Sequence, residues 1–410
     1  MEITRRGMIG AAAAAGAGAA LCPVRAKAQN QKTIRIGVLN DMSGPYRDLG
    51  GMGTVACVQQ ALKEFGPKGF QVEVISADHQ NKADVGAGIA RQWIDRDQVD
   101  MICDVNTSSV ALAVNAVCKE KNTVFLDTGA ATSDLTGKQC TPSTLHWSYD
   151  TYMLAKSTGG KTVKSGGNTW YFITADYVFG KQLQRDTTTF VTEAGGKVLG
   201  VSTYPFPGTT DFSSFLVAAQ ASGAKVLGLA NAGADTVNSI KQAAEFGLTQ
   251  KMTIAGLLMF IQDVHGLGLE AAQGLFLTES FYWDLNDRTR AFANRVRSTM
   301  PDKGYPNMSQ AGDYAGTLHF LKVVQEMGVD QVKGKGSAIV ERMKAMPTED
   351  DAFGKQHIRE DGLFITPSFL FQVKKPSDSK GPWDYYTTVA TTPADEAWEP
   401  TSKECSLVKS

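Results

Sequence analysis

Two α/β units, each a parallel sheet covered by helices, are the fold class that the 410-residue chain predicts. Three observations carry the prediction. From Thr33 onward, short runs rich in Val, Ile and Leu alternate with longer stretches of helical periodicity, the pattern of strands buried on both faces and joined by crossover helices. The rhythm stops through a Thr-, Ser-, Gly- and Pro-rich stretch, 129–149, and then starts again, so there are two series. The length also leaves room for two sizeable cores.

In the first series, strands are expected at 33–39, 71–76, 101–103 and 124–126, and helices at 50–65, 84–95 and 109–121. In the second, strands are expected at 169–173, 197–203, 226–230, 253–257 and 274–279, and helices at 180–193, 213–222 and 236–246. Three helices then follow at 287–299, 311–327 and 337–346 with no strand between them, so they must pack onto a lobe that already exists. Segments 368–373 and 385–389, flanked by Lys-Pro, Gly-Pro and Thr-Pro steps, read as short edge strands and turns.

The first 28 residues read as an export leader. Arg5-Arg6 precede a short, mildly apolar Ala/Gly run that ends at Ala26-Lys27-Ala28, small residues two apart before a cut, and the paired arginines point to the twin-arginine class. The run from Met8 to Cys22 is too short and too diluted for a bilayer span of roughly 20 residues. The mature chain is therefore expected outside the cytoplasm, in the periplasm.

Composition narrows the partners. Lys plus Arg total 41 against 42 Asp plus Glu, a formal net charge of -1, so no overall field would recruit nucleic acid or an anionic membrane. Cys57, Cys103, Cys118, Cys140 and Cys405 show neither CxxC nor zinc-type spacing, so no metal is expected. Buried free thiols suit Cys103 and Cys118, while spacing leaves any disulfide pairing among the five open.

In an open parallel sheet, ligands lie beyond the carboxyl ends of the strands, so the loops there are where binding groups belong. Thr107, Ser108 and Ser109 open a helix whose N–H groups favour an anion, although a Ser-Ser pair before a helix is more often simply an N-cap. Ala130 and Ala131, in the next loop, allow close backbone approach and would form the other wall. Phe179 and Asn231 follow strands of the second series, and Tyr152, Met259 and Tyr282 complete the candidate lining.

Signals of catalysis or cofactor binding are thin. The five histidines are scattered, with no HExxH, no GxSxG elbow, no phosphate loop and no dinucleotide fingerprint. His79, in Asp78-His79-Gln80-Asn81, reads as a hydrogen-bonded loop residue. Neither an enzyme nor a cofactor is expected.

Ile34 to Leu39 followed by Met42-Ser43-Gly44-Pro45, then Thr107-Ser108-Ser109, Phe125 to Ala131, Tyr177 to Gly180 and Phe212-Ser213-Ser214-Phe215, resemble the branched-chain amino-acid-type periplasmic solute-binding proteins of ABC transporters. Over 76–84, Ala175 to Tyr177, Asn231 to Gly233 and Phe281 to Asp284, the chain is similar to a subgroup with aromatic-acid binders. The resemblance implies two Rossmann-like lobes on a three-strand hinge near Tyr149, Ser280 and Phe364: 29–149 plus 281–363, and 150–280 plus 364–410. It also implies a monomer that meets an inner-membrane ABC permease. A ligand carboxylate would be received at Thr107, Ser108, Ala130 and Ala131, with Phe179 as an aromatic wall. Leu49 stands where amino-acid binders often place an aromatic, and 256–260 lacks the acid that grips an α-ammonium group. An aromatic or aliphatic carboxylic acid is therefore expected. Amino-acid binding, or a sensor role on the same fold, is the alternative.

Overall fold

The computed structural model describes residues 32–408, so the expected leader lies outside the described residues. The first series comprises β1 (Lys32–Asn40), α1 (Gly51–Phe65), β2 (Phe70–Asp78), α2 (Ala83–Asp95), β3 (Met101–Asp104), α3 (Ser108–Lys121), β4 (Val124–Asp127) and β5 (Thr144–His146). Next come α4 (Thr151–Lys164), β6 (Thr169–Ala175), α5 (Val178–Glu193), β7 (Lys197–Tyr204), α6 (Ser213–Ala221), β8 (Val226–Ala230) and α7 (Gly233–Glu245). The second series ends with β9 (Thr253–Gly256), α8 (Ile261–Leu267), α9 (Leu269–Ala272) and β10 (Phe276–Glu279). The remaining elements are α10 (Asp287–Val296), α11 (Met308–Met327), α12 (Val329–Val332), α13 (Gly336–Ala345), β11 (Thr348–Asp350), β12 (Gly354–Ile358), β13 (Phe364–Ile365), β14 (Ser368–Val373), β15 (Tyr386–Thr392) and α14 (Ala394–Ala397).

Two sheets organise these elements. The first has the order β2-β1-β3-β4-β5 and is parallel throughout. The second has the order β15-β14-β10-β9-β8-β6-β7, parallel from β7 to β10, with β14 and β15 added antiparallel at its edge. A small sheet, β11-β12-β13, joins the late helices to the hinge. Strand order reverses between β1 and β3 in one sheet and between β6 and β8 in the other, and a switch point of that kind opens a crevice at the strand ends.

The late helices pack on the first lobe, as the absence of intervening strands predicts. α11 lies along α1, and the Glu64 carboxylate on α1 accepts from Arg295 at 2.7 Å and from the Tyr314 hydroxyl at 2.6 Å. Among the elements that were not expected are β5 and α4. β5 is only three residues long, and α4 is rich in Thr and Gly; α4 is held by its Asp150 cap, which accepts from Met153 N at 2.7 Å, and by packing on α5 and β10.

The hinge segments lie side by side. Trp147, fully buried, stacks on Phe364 at 4.1 Å, and the Ser280 hydroxyl donates to the Ser148 carbonyl at 2.5 Å. The C-terminal tail departs from the expectation that 364–410 stays on the second lobe. It leaves β15, donates from the Trp398 indole to the Thr366 carbonyl at 2.7 Å, accepts at Glu399 O from Arg359, and ends in a disulfide from Cys405 to Cys140. Cys140 lies in the first-series segment between β4 and β5, so the chain crosses between lobes a fourth time. Spacing among five thiols could not show this pairing. Cys57, Cys103 and Cys118 are buried and unpaired.

Candidate functional site

The loop after β1 is folded around one carboxylate. Asp41 accepts from Gly44 N at 2.7 Å, Tyr46 N at 2.8 Å and Asn81 Nδ2 at 2.7 Å, which turns the Ser-Gly-Pro-Tyr segment toward the opposite lobe. Asn106 locks the loop after β3 to it: its amide oxygen accepts from Asp41 N at 3.0 Å and its amide group donates to the Tyr46 carbonyl at 3.1 Å. His79 lies behind this junction. Its Nδ1 accepts from Asn81 N at 3.0 Å, which leaves Nε2 to donate to Asn106 at 3.1 Å. Burial pushes this imidazole down to about 4, so it stays neutral, and its place is structural, as the sequence indicated.

Asp104 and Val105, at the start of the β3–α3 loop, have φ of 71° and 63°, a costly backbone for non-glycine residues and one that marks functional loops. Thr107 caps α3, but its hydroxyl donates to the Asn81 amide oxygen. Ser108 differs: its hydroxyl is buried with no partner among the described residues. A buried unpaired donor at a helix N-terminus is what an anion would satisfy.

The second lobe supplies the facing wall from the loops after β6, β8 and β9. Tyr177 and Phe179 come from the first, Ala232 from the second and Leu258 from the third. The walls meet directly. The Tyr46 and Tyr177 hydroxyls are 2.8 Å apart, and Phe206 stacks on both rings, at 5.2 Å and 4.5 Å. Ala234 N donates to the Pro45 carbonyl at 3.0 Å. Gly233, at φ 59°, is required at this contact, because a Cβ there would lie 2.4 Å from the Pro45 oxygen.

Between the walls is a gap lined by Tyr46, Leu49, Asn106, Ser108, Gly129, Ala131, Tyr149, Tyr177, Phe179, Ala232 and Leu258. Its empty space is about 230 Å³. The lobes are close together, and no lining residue is charged. A wider groove, with about 830 Å³ of empty space, opens beside it, with Arg47, Asp48, His265 and Asp302 in its lining. The smaller gap is the better candidate because only there do the strand-end loops of both sheets converge.

Of the residues expected from sequence, Ser108, Ala131 and Phe179 line the gap. Thr107, Ser109 and Ala130 adjoin it, but the Thr107 hydroxyl is taken up by Asn81, and the Ala130 carbonyl accepts from His146 at 2.8 Å. The other four lie elsewhere. Tyr152 packs edge-on to Phe190 at 5.1 Å, on the outer side of α4. Asn231 turns inward and accepts from Thr236 at 2.7 Å. Met259 folds back over Gly256, and Tyr282 donates to the Trp383 carbonyl at 3.2 Å inside the second-lobe core. Tyr46 and Tyr149 were missed as lining groups. Tyrosine in a loop gives no signal that separates cleft from core, whereas Tyr177 stood in the Tyr177 to Gly180 stretch already singled out.

Beneath both first-lobe loops lie three buried carboxyls, Asp104, Asp127 and Asp313, with the buried His146 ring 3.5 Å from Asp127. Burial raises all three, Asp104 to about 6, and mutual repulsion adds to Asp127 and Asp313. Among the described residues, four of their oxygens, including both of Asp313, meet no hydrogen-bond partner in good geometry, although Thr54, Thr128 and Cys103 are close to Asp313. Among the described residues no group of three or more His, Cys, Asp or Glu is placed to hold a metal ion, and no helix is long and apolar enough to cross a membrane.

The profile of the family described as periplasmic binding protein matches residues 33–381. The chain belongs to this family. A periplasmic binding protein from Burkholderia mallei is 47% identical, covers 92% of this chain and 100% of its own, and superposes with a TM-score of 0.86. A branched-chain amino-acid ABC transporter periplasmic ligand-binding protein from Burkholderia xenovorans LB400 is 36% identical, covers 90% and 99%, and has a TM-score of 0.77. A Rhodopseudomonas palustris solute-binding protein solved with 4-hydroxybenzoate, 21% identical and covering 89% and 98%, shares the fold at a TM-score of 0.80. Comparison with curated proteins gives no match. This periplasmic binding protein thus has the type I two-lobe fold, and the relatives above are named as periplasmic or solute-binding proteins.

Proposed function

We propose that the protein is exported to the periplasm, captures a small organic carboxylate without an α-ammonium group between its lobes, and delivers it to an inner-membrane permease. The observation that carries this reading is the lining of the gap: a buried unpaired Ser108 hydroxyl at the N-terminus of α3, aromatic and aliphatic walls, and no carboxylate. An α-ammonium group would enter without an ionic partner, losing a charged hydrogen bond worth about 1.5 to 3 kcal/mol. The paired arginines Arg5 and Arg6 direct export in this reading, and the receptor acts as a monomer. The lobes are 29–149 plus 281–363 and 150–280 plus 364–410, the last segment reaching back to the first lobe at Cys405.

Titration calorimetry with benzoate-type acids, short aliphatic acids and leucine tests the ligand class. Binding of a simple carboxylate with no response to leucine is expected. Tight leucine binding with no carboxylate response would replace this reading with amino-acid capture, the role named for the B. xenovorans relative.

A further inference from the structure

The gap has a second polar end. Tyr46 and Tyr177 come from different lobes, both rings line the gap, and their hydroxyls share one hydrogen bond at 2.8 Å in which either oxygen can donate. Each phenol carries one proton, so the shared bond uses one and leaves one. That remaining proton has no acceptor among the described residues. Burial holds both phenols in the neutral, donating form. Phe206 stacks against both rings and fixes the geometry from the second lobe, so the unused donor is presented by a rigid aromatic stack. Behind the stack is Asp235, whose carboxyl accepts from the Tyr204 hydroxyl at 2.8 Å and whose charge acts on Tyr46 and Tyr177. A second anion brought to this end would meet that carboxyl, whereas an uncharged acceptor would not.

We infer that the Tyr46–Tyr177 pair determines specificity, offering one phenolic proton to an uncharged hydrogen-bond acceptor on the ligand, so that the solute is bipolar, with a carboxylate at Ser108 and a hydroxyl or carbonyl group at its other end. The inference rests on the carboxylate reading and narrows it. It also ties closure to the polar end of the ligand, because the two hydroxyls share their bond only when the lobes meet. A solute with a hydrocarbon end would bury this proton unpaired, a cost that a polar end removes.

The test uses two matched pairs of probes: para-hydroxybenzoate with para-methylbenzoate, and the terminal hydroxy derivative of hexanoate with heptanoate. Titration calorimetry of the full chain is expected to give about tenfold tighter binding of the hydroxylated member in whichever pair binds. Tyr46→Phe and Tyr177→Phe each remove the bond between the lobes but keep one donor, so they should retain part of that ratio. The double variant has no donor, and its ratio should fall to about one. Thermal melts of all variants confirm that they are folded. An equal preference in the native protein, or an undiminished preference in a folded double variant, overturns the inference and leaves the carboxylate reading standing. Failure of every probe to bind the native protein overturns both.

Discussion

Single residues set the height and shape of this cleft, and the clearest case is Gly233. Any side chain there would collide with the Pro45 carbonyl across the lobes, and its φ of 59° is in the left-handed region. Gly233→Ala should weaken ligand binding at least tenfold while costing roughly 1 to 2 kcal/mol of stability, measured by calorimetry and urea unfolding. Unchanged affinity would show that the Pro45–Ala234 contact is not part of the closed form. The buried titratable groups give a second expectation. Asp104 is raised to about 6, and Asp150 and Asp263 to about 7, in each case chiefly by burial, so their stabilising effect is complete at low pH and lost as pH rises through those values. His79, His146 and His319 are pushed down to about 4, so their contribution is present above their ordinary value and fades as pH falls toward 4. Urea midpoints should therefore rise from about pH 8 to about pH 6.5, where only the carboxyls act, and then level off as the imidazoles oppose them. A steady fall over the first interval would contradict the raised carboxyls.

At the level of elements, the strand-end loops do the work, and the loop after β1 depends on Asp41. Asp41→Ala removes the acceptor of four donors at once, so Tyr46 should lose its position, and ligand affinity should drop more than global stability. Hydrogen exchange confined to 41–50 would check this. The same loops show what sequence could and could not reveal. The βαβ rhythm exposed nearly every long strand and helix because buried parallel strands are continuous apolar runs, a strong local signal. β5, β11 and β13 are too short to carry one, β12 is mostly polar, and α4 owes its helix to packing rather than to its Thr- and Gly-rich composition. In the site, Ser108, Ala131 and Phe179 were legible from their position just after strands. Asn231 follows a strand too, yet its amide turns inward to Thr236, a choice made by tertiary contacts. The Tyr46–Tyr177 contact joins residues 131 apart, and no local pattern records it.

For the whole molecule, the tail from β15 to Cys405 links the lobes covalently beside the three hinge strands. The ring it closes spans 265 positions, so its loss should cost about 2 to 5 kcal/mol, through the entropy of the unfolded chain. Cys140→Ser and Cys405→Ser should each lower the melting temperature, and should also raise the radius of gyration of the ligand-free protein in small-angle scattering, because one restraint on opening is gone. Equal scattering curves with a lowered melting point would mean that the tail stabilises the fold without limiting the hinge.

Every hinge strand, at 146–149, 280 and 363–365, falls between Cys140 and Cys405 in sequence. The region that moves is therefore enclosed in a covalent circle. One cut by a protease anywhere on that circle, in a hinge or in an exposed loop such as 375–381, opens the circle without dividing the molecule. Both halves of the receptor would stay joined, running as a single species on a gel until a reductant is added.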